Sequence, residues 1–357
     1  MSNCFPKISV ILPAFNVELY IKDAIESILN QTLSDFELLI YNDGSTDNTH
    51  HIISSFNDDR IIYKRIEKNA GYLNLLNGGL ALAKGKYIAR MDADDIAFPN
   101  RFEEQFNYLE NNPEVGICGS WVEVIGNLTG IVERPVTFEQ IQSALFFGCP
   151  LTHPTIMMRT DLIRKYNLKY RQEYYYAEDH YFFAEASFHF KIVNLPLVLL
   201  KYRIHDQQIG SAKWKEQFIV KSNIQAKLFY NALDSATVND FIWLKIFFEE
   251  MSIPDENWIK NVAYYNEKIV RDNQKLQVYP QQILAEAVTE LFRSKTQQNF
   301  YKYFFIKYYN RRNYSPLLIY QFIKEKYKPQ QYLGWKLTLF FIVKCLVGYR
   351  KKTIIRL

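Results

Sequence analysis

Asp92-Ala93-Asp94-Asp95 places three carboxylates within four residues, directly after the short apolar run 87–91. Where an extended backbone leaves a strand, side chains at i and i+2 point to the same side, so Asp92 and Asp94 can converge on one point. Two or three such oxygens suit a hard divalent cation, Mg²⁺ or Mn²⁺, whose remaining ligands are phosphate oxygens. A cation there would neutralise charge developing on a diphosphate leaving group. The same residues also suit a solvated acidic turn, since Asp is a turn former. The strand before them and the helix start Pro99-Asn100-Arg101 after them favour the metal reading.

Asp43 closes a second apolar run, 36–41, and is followed by Gly44-Ser45-Thr46-Asp47. A carboxylate at a strand end can accept the ring N–H of a uracil, with the backbone of 13–16 as the opposite wall. Asp-Gly is equally a turn pair, and Asp47 reads as an N-cap or first-turn acid of the next helix. Glu178-Asp179 precedes the apolar stretch 181–188, which reads as a helix. A carboxylate held at a helix start can act as a general base, or can simply compensate the helix dipole. His205 lies just beyond the strand-like run 197–203, where it is a candidate metal ligand or a plain loop residue. His153, in Thr152-His153-Pro154-Thr155, is as ambiguous. There is no His pair at zinc-ligand spacing, no Gly-x-Ser-x-Gly elbow and no P-loop, which argues against a zinc hydrolase.

These residues need elements to position them. The runs 8–12, 36–41 and 87–91 are short and rich in strand formers, with Pro13 ending the first. Residues 18–29 put Tyr20, Ile21, Ala24, Ile25, Ile28 and Leu29 on one helical face. Residues 73–83 form a second helix, with Gly85 as its C-terminal cap. Strand and helix in alternation imply βαβ units, a mostly parallel sheet, and a site beyond the carboxyl ends of its strands. From about residue 212 long helical stretches take over.

Taken in order, ISVILPAFN (8–16), NDGSTD (42–47), NAG (69–71), AKGKYIARMDADD (83–95), P-x-R (99–101), HPTIMMR (153–159), AEDHYF (177–182) and YRIH (202–205) resemble the family-2 glycosyltransferases of GT-A fold. The resemblance implies an α/β nucleotide-binding sheet with helices on both faces over residues 1–210. A donor half would cover about 1–100 and an acceptor half about 100–210, with a helical region over 211–357. It implies inverting transfer from a nucleotide sugar, most commonly a UDP-sugar, to a hydroxyl of a glycan or glycolipid acceptor. Pro13, Ala14, Phe15, Asn16, Glu18, Asp43 and Asp92 would bind the donor. Asp92, Asp94 and His205 would bind Mn²⁺ or Mg²⁺, and Asp179 would be the base. Glu178 and His153 would stand on the acceptor side. Many relatives carry Ala-Arg-Asn where this chain has Leu75-Leu76-Asn77, which shifts diphosphate binding toward the metal. The Gln-x-x-Arg-Trp of processive members is absent after Gln208, and no 18-residue apolar run exists, so single addition is expected. A sugar-nucleotide nucleotidyltransferase would need a Gly-rich triphosphate loop where Pro13-Ala14-Phe15-Asn16 stands. A non-catalytic scaffold relative should have lost its carboxylates.

The 357 residues are 48% hydrophobic and 23% charged, which fits a folded protein of one sizeable domain plus an appendage. Aromatics reach 16% and suit both core packing and sugar binding. Cys4, Cys118, Cys149 and Cys345 are widely spaced, so a zinc site or disulfide framework is not expected and a reducing compartment fits. The start of the chain carries no secretion-signal pattern. The net charge of +5 is uneven: residues 324–357 hold nine Lys/Arg against Glu325, which is +8 and leaves −3 for the rest. Residues 335–349 are mostly apolar and precede Arg350-Lys351-Lys352. An interfacial basic helix on an anionic membrane surface fits this pattern, as does a core helix with a solvated basic end. No nucleic-acid recognition motif accompanies the charge. The expected location is cytoplasmic, peripheral on the inner face of the cell membrane.

Overall fold

The computed structural model describes residues 5–205, 213–249 and 256–304. The basic tail, the helix expected over 335–349, Gln208, Cys4 and Cys345 lie outside the described residues. The chain divides into two compact units, Met1–Ile224 and Gln225–Leu357.

In the first unit, β1 (Ile8–Ala14), β2 (Phe36–Asp43), β3 (Ile61–Ile66) and β4 (Tyr87–Arg90) line up in the order β3-β2-β1-β4, all parallel. Between them run α1 (Ile21–Leu29), α2 (Thr49–Ser54) and α3 (Tyr72–Leu82). Every residue of β1, β2 and β4 is buried. That is why these strands read as unbroken apolar runs rather than alternating ones: a parallel sheet is covered on both faces. β3 was not among the expected strands. As an edge strand with exposed Lys64 and Arg65 it carries a weaker signal.

The sheet continues as β4-β8-β6-β9-β5, with β7 on the side of β6. These are β5 (Ile96–Ala97), β6 (Val115–Gly126), β7 (Gly130–Val132), β8 (Met157–Arg159) and β9 (Lys191–Ile204). β8 runs antiparallel to both β4 and β6, and β5 antiparallel to β9, so this half is mixed. Its helices are α4 (Arg101–Asn111), α5 (Phe138–Leu145), α6 (Thr160–Lys165) and α7 (Glu178–Ala186).

Several boundaries differ from the sequence expectation. β1 runs through Pro13 to Ala14. Ile11 accepts from Met91 N–H, and Pro13, two residues on, faces the same way past the end of β4, so its missing N–H leaves no ladder bond unmade. α1 begins at Ile21 rather than residue 18, because Glu18 is committed elsewhere: its amide donates to Asp47 Oδ2 and its side chain accepts from Asn48 N–H. Tyr20 is therefore outside the helix and off its buried face. α3 is capped by Ala83, not Gly85. Gly85 instead lets the chain cross β1, since a Cβ there would lie 2.5 Å from Ser9 N and 2.6 Å from Ile8 C. α7 starts three residues earlier than expected, with Glu178 and Asp179 in its first turn, and β9 extends to fourteen residues.

The described helices toward the C-terminus are α8 (Trp214–Asn231), α9 (Val238–Glu249), α10 (Glu256–Leu276) and α11 (Gln281–Phe304). Within the second unit Phe229, Phe247, Phe248 and Phe292 are buried against one another. Among the described residues no helix is long and apolar enough to cross a membrane.

Candidate active site

The register of the sheet assembles the site. Ala14 lies opposite Asn42, and Ile11 opposite Arg90, so β1, β2 and β4 end side by side. After the acidic loop, β5 pairs antiparallel with β9, Ile96 opposite Lys201 and Ala97 opposite Leu200. That pairing carries the end of β9 back to the loop. His205 Nε2 lies 2.9 Å from Asp94 Oδ2, Arg203 N–H donates to Asp95 Oδ1 at 2.8 Å, and Arg203 Nε donates to the Asp94 carbonyl at 2.8 Å. Tyr20 completes the corner, stacked on His205 with ring centroids 5.2 Å apart and 4.7 Å from the Arg203 guanidinium.

Asp92, Asp94 and Asp95 each offer an oxygen within 4.8 Å of the others. Asp95 is fully buried and its Oδ2 has no hydrogen-bond partner. A convergent carboxylate set with an orphaned buried oxygen, beside an imidazole nitrogen, fits a hard divalent cation of the Mg²⁺ or Mn²⁺ type. The electrostatics agree. Burial, with repulsion from Asp94, pushes Asp92 up to about 6 despite the pull of Arg90. Burial, then Asp92 and Asp94, pushes Asp95 well above the usual carboxylate range.

Arg90 supplies the counter-charge. It is almost wholly buried, donates from Nη1 to Asp92 Oδ2 at 2.9 Å, and donates from Nη2 to Asp92 Oδ1 and Tyr72 Oη. Burial works against its charge, but Asp92 beside it holds the guanidinium protonated. The sequence reading missed Arg90. The signal was there: Arg90 stands two residues before Asp92, on the same side of the strand.

At the end of β2, both oxygens of Asp43 are engaged, Oδ1 by Ala70 N–H at 2.7 Å and Oδ2 by Gly71 N–H at 3.1 Å. Asp43 thus ties the end of β2 to the start of α3, and the Asx-type turn belongs to Asn42, whose Oδ1 accepts from Ser45 N–H. Gly71, with φ +89°, makes the turn that presents both amides. Asn16 is also left-handed, at φ 51°. Its amide donates to Ser45 Oγ and its side chain accepts from Thr46 N–H, so the loop after β1 is clamped to the loop after β2. Pro13 and Ala14 are buried in β1, Phe15 is exposed, and Glu18 belongs to the clamp through Asn48. Asp47 stands one residue before the cap of α2, accepting from Thr49 and Glu18 amides.

Asp179 and Glu178 open α7. Asp179 Oδ1 accepts from His180 N–H at 2.7 Å, and Oδ2 lies 3.3 Å from the Cys149 thiol. Glu178 Oε2 is buried without a partner, and burial together with Asp179 pushes this carboxyl up to about 7. The charge of Asp179 reaches Asp92, and that of Glu178 reaches Tyr72 and Arg90, so the start of α7 lies within electrostatic reach of the acidic loop. His153 is buried, with Nε2 2.8 Å from Tyr170 Oη and the ring packed on Phe183; burial pushes its pKa well down. Neutral and partnered, it buttresses Tyr170 behind the two acids.

Residues 9–167 match the family model described as "Glycosyl transferase family 2". An uncharacterized glycosyltransferase of Haemophilus influenzae is 36% identical over 282 residues, covering 74% of this chain and 86% of that protein. The chain belongs to glycosyl transferase family 2. This transferase is also 30% identical over 212 residues to WfgD of Escherichia coli, named as a UDP-Glc:alpha-D-GlcNAc-diphosphoundecaprenol beta-1,3-glucosyltransferase; the match spans 58% of this chain and 81% of WfgD. The crystal structure of S. aureus TarS in complex with UDP-GlcNAc superposes with a TM-score of 0.58 at 18% identity, over 83% of this chain and 89% of that one. That likeness is one of fold, and it agrees with the GT-A architecture expected from the motifs: an α/β sheet with an added helical region.

Proposed function

We propose that this transferase moves a single sugar, with inversion, from a UDP-sugar to a hydroxyl of a glycan or glycolipid in cell-surface glycan synthesis. The observation that carries the reading is the meeting of Asp92, Asp94, Asp95 and His205 beyond the ends of β4 and β9, with Asp179 of α7 within electrostatic reach of Asp92. Residues 1–210 form the catalytic region, with the donor bound over about 1–100 and the acceptor over about 100–210. Asp43 and the wall of Pro13, Ala14, Phe15 and Asn16 hold the base, with Glu18 fixing that wall. Asp92, Asp94 and His205 hold Mn²⁺ or Mg²⁺, with Asp92 also close to the ribose. The cation, when bound, neutralises charge on the departing diphosphate. Asp179 takes the proton of the acceptor hydroxyl as its oxygen attacks the anomeric carbon and the bond to the β-phosphate oxygen breaks. Glu178 lines the acceptor side, and His153 supports it through Tyr170. The tail attaches the protein peripherally to the anionic inner face of the membrane.

The test is UDP release from UDP-glucose, UDP-galactose and UDP-N-acetylglucosamine, with Mn²⁺ or with excess EDTA. Metal-dependent release from one of them, abolished in Asp94→Ala, is the expected result. Release unaffected by EDTA would remove the metal role, and no release with or without an acceptor extract would favour a glycan-binding relative.

A further inference from the structure

Cys149 lies in the loop between α5 and the 3-10 turn at His153–Thr155, with its thiol turned to the first turn of α7. Sγ is 3.3 Å from Asp179 Oδ2 and 3.3 Å from the Leu151 carbonyl oxygen. The thiol is free, and burial, reinforced by the charge of Asp179, pushes its pKa well up. It is therefore a neutral S–H with one proton and two acceptors in reach. A carboxylate is the stronger acceptor of the two.

We infer that Cys149 is a positioning residue for the base, donating its thiol proton to Asp179 Oδ2 and turning it to Leu151 O when Asp179 becomes protonated. The inference rests on the reading of Asp179 as the base. Asp179 Oδ1 is held by the His180 backbone amide and Oδ2 by the thiol, so both oxygens are fixed and the carboxylate cannot rotate away from the acceptor. An S–H is a weaker donor than an amide N–H, so Oδ2 keeps more of its basicity and is the oxygen that takes the acceptor proton. In the protonated state Oδ2–H no longer needs a donor. The second acceptor at Leu151 spares the thiol from losing its hydrogen bond at that moment. No bond to sulfur forms or breaks in the cycle.

Two measurements on the full-length protein test this. The first is the infrared S–H stretch, isolated as the difference between wild type and Cys149→Ser. It should move to higher frequency in Asp179→Ala, where the thiol is left with the weaker carbonyl acceptor. An identical band in both proteins would overturn the inference, whatever the activity. The second is the rate of UDP release, with water as acceptor, from whichever of the three UDP-sugars is turned over. Cys149→Ala should lower kcat about tenfold with donor KM within twofold, and Cys149→Ser should recover most of the loss. Equal loss in both variants, or a rise in donor KM without a fall in kcat, means the residue only fills space. Asp179→Asn separates the layers: if it leaves UDP release intact the base reading fails, while the infrared result still reports the contact.

Discussion

Glu178→Gln should make the protein more stable than wild type at alkaline pH and leave it unchanged in acid. Glu178 has a buried Oε2 without a hydrogen-bond partner, and burial plus the neighbouring Asp179 lift its pKa from 4.5 to about 7. The sign follows from proton counting. Between pH 4.5 and 7 the folded protein keeps a proton that the unfolded chain has lost, so stability falls as pH rises through that window. Ionising the group in the native state costs about 3 kcal/mol for a shift of this size, at about 1.4 kcal/mol per unit. Sharing of the shift with Asp179 brings the range to about 1.5–3 kcal/mol. Glutamine keeps the shape and never ionises, so it removes the cost. For a unit of this length that amounts to a melting-temperature gain on the order of 3–12 °C at pH 8–9, shrinking toward zero below pH 4.5. The assay is thermal unfolding of both proteins from pH 4 to 9 without divalent metal. A difference independent of pH, or a Gln variant less stable at pH 9, would refute the reasoning and mean that Glu178 is ionised and partnered in the native state.

Other outcomes follow from the same site. His205→Ala should weaken Mn²⁺ binding, read by calorimetry or Mn²⁺ resonance in the absence of donor, because Nε2 stands 2.9 Å from Asp94 Oδ2. Asp43→Ala should raise donor KM more than it lowers kcat, since base contacts persist from ground to transition state; it should also lower the melting temperature, because the Ala70 and Gly71 amides lose a charged acceptor. Asp179→Asn should cut transfer by about 10²–10⁴-fold while calorimetric UDP binding stays near wild type; loss of binding as well would make the residue structural. Truncation after Tyr332 should abolish salt-sensitive sedimentation with anionic vesicles, each Lys or Arg contributing about 1 kcal/mol at such a surface, and equal binding to neutral vesicles would remove the electrostatic part.

Local patterns made most of the parallel half of the sheet legible. Unbroken apolar runs marked β1, β2 and β4 because a covered parallel sheet needs them, and the carboxylates at their ends followed from where ligands sit in such sheets. What depended on pairing between distant strands was not legible. β8 inserts antiparallel between β4 and β6, and only the pairing of β5 with β9 explains why His205 meets Asp94 across 111 residues of chain. Tyr20 satisfied a helical periodicity yet sits outside the helix on His205, since the commitment of Glu18 to the neighbouring loop delays the helix start. Cys149 carried no motif, and its contact with Asp179 exists only once α7 is docked.

The loss of an arginine at Leu76 reads differently with the structure in hand. Leu76 is fully buried in the core face of α3, so that position offers the site no guanidinium. Yet the site holds one, on β4 rather than α3: Arg90 grips Asp92 with both terminal nitrogens. A buried arginine beside a half-buried carboxylate is left without its counter-charge if the pair is parted. Asp92, Asp94 and Asp95 crowd negative charge into one corner, and Arg90 offsets part of it, which keeps Asp92 closer to ionised than its burial alone would allow. A divalent cation must therefore compete with Arg90 for the oxygens of Asp92, while Asp94 and Asp95 carry no such ion pair with it. The proposed cation would therefore draw less on Asp92 than on Asp94 and His205. Arg90 belongs to the AKGKYIARMDADD stretch that carries the family resemblance, and it holds its charge two residues from Asp92, on the strand that positions the acidic loop.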